Sequence, residues 1–360
     1  MEKVRVLIVD DAVLARKVIA DSLSNDPDIE VVGTASNGRL ALQRLDSNPS
    51  DLLILDLEMP EMDGLATIDA VRAKYPTMPI LMCSAFTVEG ADRTLEALTR
   101  GANDYITKPS KARDLEDAKE RLRSELVPKI RALCAAPQEP NSIAPRGTGS
   151  IPTISIDAVA IGSSTGGPSA LAAVLPQLAA TFPVPIFITQ HMPKIFTALL
   201  AERLSAQSDL SVIEGEPGLT PQPGHVYIAP GGYHMVVQRV DGVITLALNE
   251  EPPENSCRPS VDVMLRSIVS VYGEHVLSLI LTGMGQDGLR GSELVRARGG
   301  IVLAQDRASS IVWGMPGAVS AGGVAHVVAP LAELASLVTR IVNGNRILRR
   351  PPKGNKEESP

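Results

Sequence analysis

Residues 161–169 read IGSSTGGPS and follow the apolar run 158–160. The first part of this stretch has the spacing Gly-x-Ser-x-Gly, which is the frame of a nucleophilic serine at a sharp strand-to-helix turn. Small residues let the backbone turn closely, and the start of the following helix offers free N–H groups. The frame singles out Ser164. Because the same pattern also occurs in plain turns and phosphate-binding loops, a nucleophile requires a base and an orienting group elsewhere in the chain.

Two further apolar runs end in residues that could complete such a site. The run 184–189 leads into QHMP, which contains His191, and the run 276–281 leads into TGMGQDG, which contains Asp287. Carboxyl ends of parallel strands meet at one edge of a sheet, so we expect Ser164, His191 and Asp287 to meet there. Such a set can act as a triad in which the histidine accepts the serine proton and the aspartate holds the tautomer.

Each member also has a plainer interpretation. A histidine after a strand can be a structural residue, and an Asp-Gly pair is commonly just a turn. His234 lies in APGGYHM and could line the site, but we interpret it as structural together with the other three histidines, His225, His275 and His326.

The whole chain alternates continuous apolar runs with amphipathic segments. In the first part these runs are 4–9, 51–55, 79–82 and 104–107. This alternation predicts parallel sheets covered by helices on both faces, hence an α/β fold with two doubly wound domains. In the second part, the runs 226–229, 235–239 and 243–248 predict an antiparallel flank, with the last two joined as a hairpin through Asp241-Gly242.

Polar residues follow the first-part runs where the strands are predicted to end. Asp10 and Asp11 follow the first run, Asp56 the second, Ser84 the third and Lys108 the fourth. Carboxylates this close repel one another unless a cation lies among them, and oxygen ligands suit Mg²⁺. The pattern therefore predicts a magnesium site that can neutralise a phosphoryl group on one carboxylate.

Residues 1–125 resemble the receiver domain of bacterial two-component response regulators. The resemblance implies a flavodoxin-like fold, with Mg²⁺ held by Asp10, Asp11 and Asp56. It implies that Asp56 accepts phosphate from a sensor histidine kinase. Ser84 and Lys108 match the family's switch hydroxyl and its lysine, and Tyr105 falls at its aromatic switch position.

The boundaries follow from composition. Residues 126–152 comprise a helical extension and a linker, of which 135–152 (AAPQEPNSIAPRGTGSIP) is rich in Pro, Gly, Ser and Asn and has no period. A second domain is predicted for 153–345. The tail 346–360 lacks an apolar pattern, and we expect it to be disordered.

Composition excludes several classes of protein. The 360 residues carry a net charge of −7 and no Lys/Arg-rich run, which argues against nucleic acid as a partner. No apolar run is long enough to span a membrane, and the N-terminus has no signal-peptide pattern, so we expect a cytoplasmic protein without membrane insertion. Three cysteines, Cys83, Cys134 and Cys257, have no metal-ligand spacing.

The second domain resembles the catalytic domain of chemotaxis protein-glutamate methylesterases over about residues 154–345. The resemblance rests on IGSSTGGPS, QHMP, APGGYHM, CRPSVD and TGMGQDG. It places the family's catalytic residues on Ser164, His191 and Asp287, and its oxyanion donors on the backbone amides of Thr165 and Met284. One variation is a serine at position 163, where the family more usually has a smaller residue.

Together the two resemblances imply an enzyme that hydrolyses glutamate methyl esters on chemoreceptors under control of phosphorylation. They also imply deamidation of receptor glutamines by the same site, which needs no cofactor. We expect the unphosphorylated receiver to obstruct the catalytic edge. One alternative is a phosphorylation-switched receptor-binding protein without catalysis. A DNA-binding regulator is disfavoured because the second part has no helix-turn-helix pattern.

Overall fold

The computed structural model describes residues 3–85, 87–108, 114–135 and 151–346, with side chains in the last range up to residue 344. Nearly all of the predicted linker 135–152, and the predicted tail after its first residue, lie outside these ranges. The chain divides into two compact units, Met1–Ser142 and Ile143–Pro360.

The first unit is a five-stranded parallel sheet with the strand order β2-β1-β3-β4-β5. Its elements are β1 (Val4–Val9), α1 (Val13–Leu23), β2 (Ile29–Ala35), α2 (Gly38–Ser47), β3 (Leu52–Asp56), α3 (Gly64–Lys74), β4 (Ile80–Ser84), α4 (Val88–Thr99), β5 (Asp104–Thr107) and α5 (Leu115–Cys134). The strand order reverses between β1 and β3, and the crevice beyond their carboxyl ends is where such sheets bind ligands. Val9 pairs with Leu55, so the next residues, Asp10 and Asp56, face each other across this crevice.

The second unit has a seven-stranded parallel sheet with the order β14-β13-β12-β6-β7-β9-β8, and a separate two-stranded sheet. Its first half comprises β6 (Ala158–Ser163), α6 (Gly167–Val174), a 3₁₀ turn (Leu175–Gln177), β7 (Ile186–Gln190), α7 (Lys194–Gln207), β8 (Ser211–Glu214), β9 (His225–Ile228), β10 (His234–Val240) and β11 (Val243–Asn249). Its second half comprises α8 (Val261–Tyr272), β12 (Val276–Ile280), α9 (Leu289–Ala297), β13 (Ile301–Gln305), α10 (Met315–Ala321), β14 (Val327–Ala329) and α11 (Leu331–Arg346). The predicted fold class is confirmed, including the antiparallel hairpin β10–β11.

Two details differ from the sequence-based expectation. Strand β9 belongs to the parallel sheet between β7 and β8, and not to the antiparallel flank predicted for 226–229. Strand β2 was missed because its middle residues are only half-buried and it contains Gly33. The helix α5 continues past residue 125 to Cys134.

The centre of the second sheet is β6, which lies between β12 and β7. The chain leaves β6 on one side toward β7 and returns on the other side toward β12, so the strand order again reverses here. A Cβ atom on Gly162 would lie 2.5 Å from Cγ1 of Val261, so only glycine permits the first turn of α8 to approach β6 this closely. The second unit's crevice is therefore bordered by β6, β12 and the start of α8.

Among the described residues, no helix combines the length and the apolar character that crossing a bilayer requires.

Candidate functional site

The corner between β6 and α6 presents Ser164. The amide of Ser164 donates to the carbonyl oxygen of Thr282 at 3.0 Å, and the amide of Gly167 donates back to the carbonyl of Ser164 at 2.8 Å. Gly166 has a φ of 77°, in the left-handed region that favours glycine. The corner is thus a tight turn fixed to the end of β12, and it leaves the side chain of Ser164 half-buried.

The neighbouring Ser163 occupies a different environment. Its side chain is fully buried, and its hydroxyl donates to Oε1 of Gln190 at 2.7 Å. The amide nitrogen of the same glutamine donates to the carbonyl of Ser164 at 2.9 Å. In the described part of the unit, Oγ of Ser164 makes no hydrogen bond. Of the two adjacent serines, Ser164 therefore has the available hydroxyl.

His191 follows β7 directly beside this corner. Ser163 pairs with Gln190 in the β6–β7 register, and the amide of His191 donates to the carbonyl of Ser163 at 3.2 Å. The imidazole Nε2 lies 2.8 Å from Oδ2 of Asp287. Its Nδ1 lies 3.5 Å from Sγ of Cys257. Backbone register thus makes Ser164 and His191 neighbours, but the described residues contain no hydrogen bond between the serine hydroxyl and the imidazole.

Asp287 is held by donors from four stretches of the chain. It is 2% exposed, and its six hydrogen-bond donors lie between 2.7 and 3.1 Å. They are Nε2 of His191, Nδ2 of Asn255, Oγ of Ser260 and the amides of Val261, Asp262 and Gly288. Three of these donors, those of Ser260, Val261 and Asp262, lie at the start of α8, where the helix dipole also favours a negative charge.

The charge states of His191 and Asp287 depend on each other. Burial opposes ionisation of Asp287, but the hydrogen bond from His191 and the backbone amides outweigh it and lower the pKa of the carboxyl group. Burial likewise opposes protonation of the imidazole, but the hydrogen bond to Asp287 raises the pKa of His191. An ionised carboxylate only accepts hydrogen bonds, so Nε2 carries the proton and Nδ1 is the nitrogen left to act as a base.

The loop after β12 packs against the serine corner. A Cβ on Gly283 would lie 2.8 Å from Cβ of Ser164, so glycine permits this approach. The hydroxyl of Thr282 donates to the carbonyl of Thr165 at 2.9 Å. Met284 is 37% exposed, and its amide has no backbone acceptor within the described ranges. This amide is therefore available to a ligand bound next to Ser164.

In the first unit, Lys108 bridges two buried carboxylates. Its Nζ lies 2.8 Å from Oδ2 of Asp10 and 2.8 Å from Oδ2 of Asp56. Burial opposes a charged lysine, but these two contacts raise the pKa of Lys108. Burial raises the pKa of Asp56, and the lysine only partly offsets it.

The carboxylates of this unit suit a divalent cation. Asp10, Asp11 and Asp56 each offer an oxygen atom, and the three atoms lie within 4.8 Å of one another. Oδ2 of Asp10 is buried and, apart from the ion pair with Lys108, has no polar partner among the described residues. Hard oxygen ligands at this spacing fit Mg²⁺.

Of the remaining predicted receiver residues, Ser84 ends β4 and Tyr105 lies within β5. The hydroxyl of Ser84 is buried, donates to the carbonyl of Gly90 at 3.1 Å and accepts from Oγ1 of Thr94 at 2.6 Å. Tyr105 is 7% exposed, and burial raises the pKa of its phenol well above the usual value. Nζ of Lys129 lies 5.3 Å from its ring centroid. The side chains of Ser84 and Tyr105 are thus both buried in the first unit.

Similarity to known proteins extends along nearly the whole chain. The sequence profile of the family described as CheB methylesterase matches residues 159–338, and that of the response regulator receiver domain matches residues 6–120. A protein-glutamate methylesterase/protein-glutamine glutaminase of Trichodesmium erythraeum is 46% identical, with 94% of this chain and 99% of that protein covered. The protein of that name from Nocardioides sp. is 45% identical, with 98% of each chain covered. The chain belongs to the CheB methylesterase family.

Structural comparison places the second unit in the same family. The crystal structure of the Thermotoga maritima CheB methylesterase catalytic domain has a TM-score of 0.51 and 40% sequence identity, and covers 52% of this chain and 100% of that one. The part of the chain that contains Ser164, His191 and Asp287 is thus similar in fold and in sequence to a CheB methylesterase catalytic domain.

Sequence reasoning missed the residues that hold Asp287 in this CheB methylesterase chain. Ser260 and the first amides of α8 belong to the CRPSVD motif, in which the sequence predicts no site residue. A serine before an amphipathic segment is an N-cap signal, but here its hydroxyl donates to Asp287 instead. His234 also supports this segment, because its Nδ1 accepts from the amide of Ser260 at 3.2 Å.

Proposed function

We propose that this chain is a phosphorylation-regulated protein-glutamate methylesterase that acts on chemoreceptors and also deamidates receptor glutamines. The observation that carries the proposal is the position of Ser164, next in register to a histidine hydrogen bonded to a buried aspartate. The relatives with this name span nearly the whole chain, which supports the same assignment.

In the proposed reaction, Oγ of Ser164 attacks the carbonyl carbon of the glutamyl methyl ester. Nδ1 of His191 accepts the serine proton and then donates it to the departing methoxide, so methanol leaves and an acyl-enzyme remains. Water then attacks the acyl carbon, again losing its proton to His191, and releases the glutamate and the serine. Asp287 holds the proton on Nε2 and stabilises the imidazolium.

The attack requires the imidazole and the serine hydroxyl to approach each other more closely than they do here. Catalytic hydrogen bonds are often long in free enzymes and shorten when substrate binds. The negative oxygen that forms on the substrate would be bound by the amides of Thr165 and Met284. Donors of this kind each contribute roughly 10²- to 10³-fold in rate.

For regulation, we propose that Asp56 accepts a phosphoryl group from a sensor histidine kinase. Asp10, Asp11 and Asp56 would hold Mg²⁺, which supplies positive charge to the phosphoryl oxygens. Lys108 contacts Asp10 and Asp56 and would pair with the same oxygens. Ser84 and Tyr105 would respond to the modification as switch residues. The esterase step itself uses only protein side chains and water.

A receptor-binding protein without catalysis is the alternative. It gives no reason for a buried aspartate that accepts six hydrogen bonds, one of them from a histidine. The pairing of His191 with Asp287 therefore favours the enzyme.

The two adjacent serines provide the test. Ser164→Ala should abolish methanol release from methylated chemoreceptors, and it should abolish labelling by a serine-directed phosphonate. Ser163→Ala is the matched control, because it changes the same residue type one position earlier and removes only the contact with Gln190. Retained hydrolysis in Ser164→Ala would refute the assignment.

Phosphorylation is tested separately. Incubation with Mg²⁺ and a small phosphodonor should increase methanol release by the wild-type protein and leave the Asp56→Asn variant unchanged. Equal rates with and without the phosphodonor would refute regulation and leave the esterase proposal standing.

A further inference from the structure

The residues Glu254–Cys257 form a tight turn directly before α8, called here the 254–257 turn. Glu254 and Cys257 exchange backbone hydrogen bonds of 3.1 and 2.9 Å. The central residues Asn255 and Ser256 have φ angles of 53° and 63°. Positive φ at both central positions is the mark of a type I′ turn, which favours Asn and Gly. A non-glycine residue in this conformation costs on the order of 1 kcal/mol, and it persists where surrounding contacts hold it.

The first contact of the 254–257 turn is with the triad aspartate. Nδ2 of Asn255 donates to Oδ1 of Asp287 at 2.9 Å and to Oδ2 of Asp262 at 3.0 Å. Both carboxylates are nearly fully buried. One amide group, with one hydrogen for each acid, therefore bridges two carboxylates that would otherwise repel each other.

The second contact is with the triad histidine. Sγ of Cys257 lies 3.5 Å from Nδ1 of His191. Because Nε2 is bound to Asp287, Nδ1 is the nitrogen that must receive the serine proton. A thiol is a weak donor, so it can restrain the ring and still be replaced at Nδ1 by a stronger donor, the serine hydroxyl.

The turn itself is anchored to α8. The guanidinium of Arg266 makes two hydrogen bonds with the carboxylate of Glu254, at 2.8 and 2.5 Å. The first amides of the same helix bind Asp287. The turn and the aspartate are therefore fixed to one rigid element.

We propose that the 254–257 turn positions the catalytic pair, with Asn255 fixing the carboxylate of Asp287 and Cys257 fixing the ring of His191 through Nδ1. Asn255 and Cys257 act through these two residues and are positioning residues. The inference rests on the proposed function, since it assigns these residues a part in the same reaction.

Two glycine substitutions in the 254–257 turn test the role of Asn255. Asn255→Gly and Ser256→Gly both place glycine at a position with positive φ, so both keep the turn, but only the first removes the bridging amide. We expect kcat for methanol release to fall roughly tenfold in Asn255→Gly, with KM changed less than about twofold, and to stay near wild type in Ser256→Gly.

The role of Cys257 is tested by a second pair. Cys257→Ala removes the contact with Nδ1, and Cys257→Ser keeps a donor at the same position. We expect kcat to fall about three- to tenfold in Cys257→Ala and to recover at least half of its value in Cys257→Ser. Equal loss in both variants would mean that the cysteine only fills space.

A spectroscopic measurement separates this inference from the esterase proposal. The Nε2 proton of His191 should give a protected low-field NMR signal in the wild type and in Ser256→Gly, and should exchange with solvent several-fold faster in Asn255→Gly. An unchanged signal together with unchanged kcat in Asn255→Gly overturns the inference. A wild-type protein that hydrolyses no receptor ester overturns the proposed function, and the NMR comparison still decides the role of the turn.

Discussion

Nε2 of His191 lies 2.8 Å from Oδ2 of Asp287, and the same carboxylate accepts five further hydrogen bonds. These hydrogen bonds fix the position of the Asp287 carboxylate and favour its ionised form. They also fix Nε2 of His191, which donates its proton to this carboxylate. The ring nitrogen that can act on the serine is Nδ1. Each prediction about the esterase depends on this arrangement.

Replacing the aspartate should remove most of the activity without unfolding the protein. Asp287→Asn keeps the shape of the side chain but removes the charge that holds the tautomer, and such a change reduces kcat roughly 10⁴-fold in a serine protease. Asp262→Asn is the matched control, because Asp262 is a buried acid bound to the same Asn255 but makes no contact with His191. We expect it to lower kcat less than tenfold. Comparable losses in both variants would contradict a specific role for Asp287.

The rate should depend on pH through His191. Only the neutral imidazole can accept the serine proton, and the pKa of this histidine is raised in the folded protein. The value of kcat/KM should therefore rise with pH, with a midpoint above the ordinary histidine value of about 6.5. The lowered pKa of Asp287 keeps that group ionised throughout, so a single proton should describe the curve.

The control for this pH dependence is an NMR titration of the imidazole. In Asp287→Asn the carboxylate that raises the pKa is gone, so the midpoint should move downward. A midpoint that is the same in both proteins would show that another group sets the charge of His191.

Magnesium binding in the first unit should weaken on acidification. The metal requires ionised carboxylates, and burial raises the pKa of Asp56. Affinity measured by calorimetry should therefore begin to fall at a higher pH than expected for an ordinary aspartate, whose pKa is about 3.9. Asp56→Asn should bind Mg²⁺ more weakly, and binding by the wild type that is constant down to pH 4 would argue against Asp56 as a ligand.

Thr282 should stabilise the serine corner. Its hydroxyl donates to the carbonyl of Thr165 and accepts from the amide of Val312, and the side chain is buried. Thr282→Val leaves both backbone groups without this partner, so the free energy of unfolding in urea should fall by about 1–3 kcal/mol. Thr282→Ser, which keeps the hydroxyl, should lose less. Equal destabilisation by both substitutions would point to packing and not to hydrogen bonding.

Periodicity and motif spacing were enough to predict the α/β class and the strand ends that carry Ser164, His191 and Asp287. They gave the wrong pairing direction for β9, because a short apolar run has the same pattern whether the strand pairs in parallel or antiparallel. The pairing of β9 with β7 and β8 depends on contacts between segments distant in sequence.

The hydrogen-bond partners of Asp287 could not be predicted from the sequence for a similar reason. Asn255 lies 32 positions before Asp287, and its amide reaches the carboxylate from a turn whose central residues both have positive φ. Asn-Ser is a weak turn signal compared with Asn-Gly. The missing hydrogen bond between Ser164 and His191 likewise depends on side-chain orientation, which spacing along the chain does not determine.

The residues proposed for phosphate chemistry lie within residues 3–108, and those proposed for ester chemistry lie within residues 151–346. Among the described residues, no side chain belongs to both sets. A protease cut within residues 136–150 would therefore yield two fragments, each of which contains all the residues proposed for one of the two reactions. Coupling between the two chemistries would then be the property that such a cut removes.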